Sequence, residues 1–176
     1  MSPLRLGFCV CDRRYPFLWS NPGQSAGHWN RAGDQPVHYL ASTPTVAWAE
    51  WIRHQEIHEP EDLAGVAAAL WAVLIPESWS CEKLPEASLP LQAVLGTTAD
   101  AHTARLNLVA LHQSHHSLPC MQVIADGEQA TTLAIPAHVI LLWCQAEQLP
   151  GWCCVPKGRP GPELLPLVRR DGRLVE

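Results

Sequence analysis

The most regular pattern of apolar and polar positions lies in the first third of the chain and has helical spacing. The residues that share one face of this helix are Val46, Ala47, Glu50, His54 and Ile57. Because Glu50 falls within this face, its carboxylate is predicted to point toward apolar neighbours. A carboxylate in such surroundings costs free energy unless a partner or a ligand uses it. The pattern therefore marks Glu50 as a candidate functional residue.

The same helix carries start and stop signals at both ends. Ser42 or Thr43 is suited to cap it, and Pro44 fits the first helical position, where its missing N–H loses no hydrogen bond. We expect the helix to run to about His58 and to end before Pro60.

Other apolar runs predict several strands and one more helix. The strand-length runs are residues 4–10, 36–40, 70–75, 120–124, 131–135 and 138–144, with a turn at 125–128 joining the fourth and fifth. The second helix is predicted over residues 98–112, with its apolar face at Ala101, Ala104, Leu108 and Leu111. Because strands outnumber helices, we predict an α+β fold in which a mixed or antiparallel sheet is flanked by helices.

The domain organisation follows from where proline and glycine accumulate. Residues 1–150 are expected to form a single domain, and residues 151–176 a Pro- and Gly-rich tail that packs on this domain or extends from it.

Composition and charge exclude several classes of protein. A chain of 176 residues that is 47% hydrophobic and 16% charged suits a globular domain and not a disordered protein. The net charge of -5 gives no basic surface for direct nucleic-acid binding. No apolar run approaches the ~18 residues of a membrane span, and residues 6–10 are too few for the core of a signal peptide. We expect a cytoplasmic protein that binds neither membrane nor nucleic acid, with a homodimer left open.

The seven cysteines are irregularly spaced. Neither residues 9–11 (C-V-C) nor the vicinal pair at 153–154 has the CxxC spacing typical of zinc sites. No acidic residue lies close in sequence to a small histidine cluster, which consists of His112, His115 and His116. We therefore predict reduced thiols and no metal.

The segment from Gly27 to Glu50 combines groups suited to a dinucleotide. Its glycines let the backbone approach a ligand closely, Tyr39 and Trp29 offer flat aromatic faces, and nearby arginines supply donors for a diphosphate. Glu50 can face the positive charge that develops when a glycosidic bond breaks. A plainer reading stays open, in which Glu50 pairs with Arg53 or His54 on its own helix and Tyr39 is a core residue with a satisfied hydroxyl.

These residues resemble the RES domain, a family named for its arginine, glutamate and serine. In that family a G-R-W-N-x-x-G loop precedes a Y-L-A strand and an A-x-x-E helix. The counterparts here are residues 27–33 (G-H-W-N-R-A-G), 39–41 (Y-L-A) and 47–50 (A-W-A-E). Residues 70–76 also look like the family's central strand with its closing proline, so the resemblance extends over about residues 13–76.

The resemblance implies a fold similar to the ADP-ribosyltransferase toxins and a cleft for NAD. It implies NAD as a substrate, cleaved at the nicotinamide–ribose bond by phosphorolysis or hydrolysis, and a helix-turn-helix antitoxin as partner. In this scheme Glu50 orients the ribose and stabilises its cationic state, Tyr39 lines the nicotinamide end, and His28 stands at the arginine's place. The residues expected to bind the dinucleotide are Arg31, Trp29, Asn30, Arg13 and Arg14.

Two positions depart from the family pattern. The motif arginine is His28, which cannot make the two-pronged phosphate contact of a guanidinium. Residues 118–125, where the family's serine is expected, contain no serine, and Ser114 and Ser117 are the nearest. Two further functions therefore stand beside NAD breakdown: a catalytically decayed module that binds a nucleotide or a protein, and transfer of ADP-ribose to a protein.

Overall fold

A computed structural model describes residues 4–13, 24–34, 37–79, 82–83, 98–115, 120–125, 137–144, 146–155 and 159–168. The strands in these ranges are β1 (Leu4–Asp12), β2 (His38–Ala41), β3 (Ala68–Pro76), β4 (Glu82–Lys83), β5 (Cys120–Ala125), β6 (Ala137–Leu142) and β7 (Gly151–Cys154). The α-helices are α1 (Pro44–His54) and α2 (Ala99–His115), and the short 3-10 helices are Pro60–Gly65, Ala146–Gln148 and Pro162–Leu167.

The described strands form one sheet in the order β4-β5-β6-β2-β1-β3-β7. Its neighbours pair antiparallel, except β4 and β5, which run parallel. The sheet places β2 beside β1 and β6, at its centre. The predicted α+β fold with a mixed sheet and flanking helices is confirmed.

The two faces of the sheet bury different sets of side chains, because successive strand residues point to opposite sides. One face carries both helices: α1 packs over Val10 and Leu70, and α2 packs with Trp29 over Leu141. The other face buries an apolar cluster that consists of Leu40, Val73, Ile75, Ile140, Leu142, Cys144 and Leu149. Tyr39 and Leu40 thus lie on opposite faces, with Tyr39 on the side of the helices.

Helix α1 begins as its cap residues predict and ends earlier than expected. The Thr43 hydroxyl accepts a hydrogen bond from Val46 N at 3.2 Å, and Pro44 occupies the first turn. The prediction that the helix reaches His58 is wrong. Glu56 adopts a left-handed conformation with φ 54, and Ile57 N donates back to Ile52 O at 3.1 Å. This arrangement closes the helix before Pro60 can end it.

The segment predicted as a Pro/Gly-rich tail contributes to the domain in two places. Residues 151–154 form β7, which pairs with β3, and Leu164 and Val168 join the cluster beneath α1. Strands β4 and β7 were not predicted, because short edge strands leave little periodic signal. The strand expected at residues 131–135 and the turn residues 126–128 lie outside the described residues. Within the described residues, β5 pairs with β4 and β6.

Candidate active site

The loop of residues 24–34 closes onto Tyr39 through hydrogen bonds. Trp29 N donates to Tyr39 Oη at 2.9 Å, and the Tyr39 hydroxyl donates to Asn30 Oδ1 at 2.8 Å. Asn30 Nδ2 donates in turn to Ser25 O at 2.9 Å. A Cβ at Gly27 would lie 2.6 Å from Asn30 Oδ1 and 2.9 Å from Tyr39 Oη, so only glycine leaves room for this closure. The motif residues of the loop therefore hold one another in place.

Helix α2 fastens the same loop from a second direction. His102 Nε2 donates to Gly27 O at 3.1 Å, and Arg105 Nε donates to His28 O at 2.9 Å. The Arg105 guanidinium lies 6.0 Å from the centre of the Trp29 ring, and the residue is only 2% exposed. Two side chains one helical turn apart thus bind successive backbone carbonyls of the loop.

Tyr39 and Glu50 share a cavity of about 230 Å³ between α1 and the sheet. Tyr39 comes from β2 and Glu50 from the middle of α1. The other residues that line this cavity are Phe8, Cys9, Val10, Leu40, Ala41, Val46, Ala47, Trp51, His54 and Val139. The structure therefore brings together two of the three residues that the sequence predicts to be catalytic, and it surrounds them mainly with apolar side chains.

The two oxygens of Glu50 differ in their surroundings. Oε2 accepts from Arg53 Nη2 at 2.9 Å and from Arg53 Nε at 3.2 Å, and lies 3.7 Å from His54 Nε2. Within the described part of the chain, Oε1 has no hydrogen-bond or ion-pair partner. The plainer reading, an ion pair along the helix, is thus observed together with the cavity position. One oxygen is anchored and the other is open to a ligand.

His28, the third residue predicted to be catalytic, is not among the residues that line this cavity. Desolvation by the surrounding protein lowers the pKa of His28 to about 4, and the positive charges of Arg105 and Arg53 act in the same direction. The negative charge of Glu50 acts against them. His28 is therefore uncharged at neutral pH, and the positive charges that act on it are those of the two arginines.

The ionisable hydroxyl and thiols near the cavity keep their protons at neutral pH. Burial raises the pKa of Tyr39 to about 12, and its hydroxyl is already bonded to the loop. Burial raises the pKa of Cys9 to about 12 as well, and the neighbouring Cys11 adds to this rise. A thiolate nucleophile at Cys9 is disfavoured. Tyr39 presents its ring to the cavity, not a reactive oxygen.

The residues predicted to bind the dinucleotide fall in separate places. Trp29, Asn30 and Arg31 line a second cavity of about 230 Å³, beside α2. Trp29 and Asn30 are buried, whereas Arg31 is exposed. Arg13 is exposed, and its backbone N donates to Ala67 O at 3.5 Å. Arg14 lies outside the described residues, as does Ser117, while Ser114 belongs to α2.

Sequence reasoning missed the two α2 residues that hold the loop. The prediction put the apolar face of this helix at Ala101, Ala104, Leu108 and Leu111, but Leu111 is 54% exposed. Among residues 99–111 of α2, whose burial the structure describes, the buried positions are Ala101, Arg105, Leu106 and Val109. The spacing of Ala101, Arg105 and Val109 is that of one helix face, so an arginine within an apolar stripe was the available signal.

The described ranges contain no group of three or more His, Cys, Asp or Glu side chains that could hold a metal ion. No α-helix in them is both long and apolar enough to cross a bilayer.

Comparison with solved structures finds this fold in a toxin–antitoxin complex. The similar chain belongs to the crystal structure of the M. tuberculosis MbcT–MbcA toxin–antitoxin complex, with a TM-score of 0.56 and 13% sequence identity. The match covers 96% of this chain and 91% of that chain. No family model and no curated protein matches the chain. At this identity the likeness concerns the fold.

Proposed function

We propose that this protein is an NAD-consuming enzyme that cleaves the nicotinamide–ribose bond. The observation that carries the proposal is the shared cavity of Tyr39 and Glu50, in which one carboxylate oxygen is anchored by Arg53 and the other is open. An aromatic ring and a carboxylate facing one apolar space suit a flat cationic ring joined to a sugar.

Cleavage of this bond requires mainly that the protein places a negative charge beside the ribose. The bond between ribose C1′ and the nicotinamide nitrogen breaks, and its electron pair neutralises the pyridinium ring. The ribose becomes an oxocarbenium-like cation, which Glu50 stabilises through Oε1. Water or phosphate then adds at C1′, and the attacking oxygen loses a proton to solvent. Arg53 holds the carboxylate in position through its hydrogen bonds to Oε2.

The size of the cavity limits how much of the dinucleotide it encloses. Sites that enclose drug-sized ligands measure roughly 300–1,000 Å³, and this cavity has about 230 Å³. It would take the nicotinamide and its ribose, leaving the diphosphate near the edge of the cavity. Arg105 and Arg53 carry the positive charges that lower the pKa of His28, and these charges would favour a diphosphate near that residue.

We also propose that the protein is the toxin of a toxin–antitoxin pair, with a helix-turn-helix antitoxin as its partner. The support is the fold that it shares with a chain of a toxin–antitoxin complex, together with the RES resemblance of residues 13–76. Expression of the chain alone should arrest growth and deplete cellular NAD. Co-expression of an antitoxin encoded beside it should restore both.

The direct test is incubation of the purified protein with NAD, with and without phosphate. Release of free nicotinamide is the expected result. ADP-ribose as the other product indicates hydrolysis, and its 1″-phosphate indicates phosphorolysis. Labelled ADP-ribose on protein would instead indicate a transferase. Undiminished NAD in every arm contradicts the proposal.

A second candidate, a decayed module that binds a nucleotide without cleaving it, is favoured by one observation. The position of the motif arginine holds His28, whose low pKa leaves it neutral at pH 7. If the site has decayed there, His28→Arg should create NAD turnover that the natural chain lacks. If the enzyme is active as it stands, the same variant should lower the Michaelis constant for NAD.

A further inference from the structure

The second cavity of about 230 Å³, called the α2 cavity from here on, takes no part in the chemistry proposed for Glu50. Most of its lining side chains are aliphatic or aromatic, and its polar groups belong to the loop of residues 24–34. The loop contributes Trp29, Asn30, Arg31 and Asp34, helix α2 contributes Ala110 with two aliphatic neighbours, and Trp143 follows strand β6. Small-molecule sites have this composition, with apolar walls and a few placed polar groups.

Arg31 and Asp34 bring opposite charges to the α2 cavity from one tight turn. Arg31 N donates to Asp34 Oδ2 at 2.9 Å, and Asp34 N donates to Arg31 O at 3.3 Å. Gly33 has φ 84 in this turn, a left-handed conformation that glycine adopts without strain. Among the described residues, the Arg31 guanidinium and Asp34 Oδ1 have no hydrogen-bond or ion-pair partner. The turn therefore fixes the backbone of both residues and leaves both charged groups available to a ligand.

The α2 cavity lies next to the cavity of Tyr39 and Glu50. The Tyr39 hydroxyl is hydrogen-bonded to Trp29 N at 2.9 Å and to Asn30 Oδ1 at 2.8 Å, and both of these residues line the α2 cavity. Val139 lines the one cavity, and Trp143, four residues further along the chain, lines the other. At a rise of about 3.3 Å per strand residue, these two positions lie roughly 13 Å apart. A pair of hydrogen-bonded segments thus separates two cavities on the helix side of the sheet.

Neither cavity alone has the size of a site that encloses a dinucleotide. Sites that enclose drug-sized ligands measure roughly 300–1,000 Å³, and each of these cavities has about 230 Å³. A dinucleotide consists of two nucleosides joined by a diphosphate, so two small cavities divided by a loop suit its two halves.

We propose that the α2 cavity binds the adenosine half of the same NAD molecule whose nicotinamide half lies against Tyr39 and Glu50. This inference rests on the proposed function for the identity of the dinucleotide. The adenine ring packs against the apolar walls of the α2 cavity, and its amino group donates to Asp34 Oδ1. The Arg31 guanidinium binds the diphosphate where it crosses the loop.

The first experiment measures the affinity of the purified chain for AMP by isothermal titration calorimetry. Ala110→Trp should weaken AMP binding at least about tenfold, because the indole fills the α2 cavity from an exposed helix position. The matched control is Asn107→Trp, which adds the same ring at an exposed position of α2 that does not line the cavity. Absence of AMP binding at millimolar concentration, or equal weakening by both variants, overturns the inference.

Arg31→Met tests the phosphate contact separately. The backbone hydrogen bonds of the turn remain in this variant, so it should fold. AMP should bind about tenfold more weakly, the loss typical of a hydrogen bond to a charged group, whereas adenosine, which has no phosphate, should keep its affinity. Arg159→Met removes the same charge from an exposed residue that lines neither cavity and should leave AMP affinity unchanged. Equal weakening of AMP by the two variants, or equal weakening of AMP and adenosine by Arg31→Met, overturns the inference.

A comparison of two substrates separates failure of this inference from failure of the proposed function. Nicotinamide mononucleotide has the same glycosidic bond as NAD but no adenosine. Ala110→Trp should therefore lower the ratio of kcat/KM for NAD to kcat/KM for the mononucleotide by at least about tenfold. An unchanged ratio in an active enzyme overturns the inference and leaves the proposed function standing.

Competition between AMP and NAD for binding decides the inference even if no nicotinamide is released. Mutually exclusive binding would support the shared site although the proposed enzyme is refuted. Simultaneous binding of AMP and NAD would overturn the inference, since the α2 cavity would then be a separate nucleotide site.

Discussion

The loop of residues 24–34 and helix α1 both carry motif residues, but they use them differently. In the loop, Trp29 and Asn30 are 4% and 3% exposed and are bonded to other parts of the same loop or to Tyr39. On α1, Glu50 keeps one oxygen open toward a cavity, and its side chain is 29% exposed. Trp29 and Asn30 thus form hydrogen bonds within the protein, whereas Glu50 has one oxygen without a partner among the described residues.

Motif residues therefore have two different roles here: some fix the shape of the backbone, and others face a ligand. Residues such as Gly27 and Asn30 define the shape of the backbone, because changing them disturbs hydrogen bonds within the protein. Glu50 contributes little to that shape, since its polar contacts are to Arg53 and His54 on its own helix. We therefore expect substitutions in the loop to reduce stability and substitutions at Glu50 to reduce activity.

The largest effect is expected for Glu50→Gln. The amide keeps the size of the side chain but removes the negative charge that faces the ribose, so NAD turnover should fall by at least about a hundredfold. The free energy of unfolding should change by less than about 0.5 kcal/mol, the range of an exposed helix ion pair. Nicotinamide release and chemical denaturation measure the two quantities.

Glu61→Gln is the matched control, because Glu61 is exposed in the 3-10 helix Pro60–Gly65. It removes the same charge away from the cavity and should leave both quantities unchanged. Turnover that survives in Glu50→Gln would show that the carboxylate is only a helix ion pair.

Gly27→Ala tests the role of the loop of residues 24–34 in stability. Its Cβ would meet the Asn30 and Tyr39 side chains at 2.6 and 2.9 Å, so the loop must shift at a cost of about 1–3 kcal/mol, as in other overpacked sites. Gly65→Ala is the control, since nothing lies within 4 Å of a Cβ there. Equal unfolding midpoints for the two variants would refute the account of loop closure.

Tyr39→Phe should lower the stability of the fold and leave NAD binding nearly unchanged. The ring remains in the cavity, but Trp29 N and Asn30 Oδ1 lose their shared partner. Two poorly satisfied groups should destabilise the fold by about 1–3 kcal/mol, while the Michaelis constant for NAD changes by less than about threefold, since stacking depends on the ring. A large loss of kcat with unchanged stability would instead assign chemistry to the hydroxyl.

The parts of this molecule that could be predicted from sequence depend on local signals. Thr43 and Pro44 mark the start of α1 because capping and the first turn have their own residue preferences. The inward position of Glu50 followed from periodicity alone. The end of α1 could not be predicted, because the left-handed Glu56 that closes it is not a glycine.

The parts that could not be predicted depend on contacts between distant segments. Arg105 and His102 reach the loop across 77 and 75 residues of chain, and no spacing rule connects them. Arg31 lines a different cavity from Glu50, and this too depends on contacts between distant segments. Periodicity indicates which face of an element is buried, whereas the neighbour on that face is set by the order of strands in the sheet.

The smallest effect concerns the stability of the face of the sheet that lacks the α-helices. His38 is buried there, its Nε2 donates to Cys144 O at 3.2 Å, and burial lowers its pKa below 6.5. The unfolded chain therefore binds this proton more readily than the folded one, so stability is lost as pH falls below about 6.5. The slope from one such group is at most about 1.4 kcal/mol per pH unit.

His38→Gln should flatten this part of the stability curve, because glutamine keeps an N–H donor for Cys144 O and does not titrate. Denaturation of both proteins between pH 7 and pH 4.5 measures the difference. His28→Gln is the comparison variant. The pKa of His28 is also lowered, so its replacement should act in the same direction, but His28 is exposed and solvent screens its charge, so we expect the smaller effect there. A larger effect at His28 than at His38 would contradict the assignment of this pH dependence to the buried sheet face.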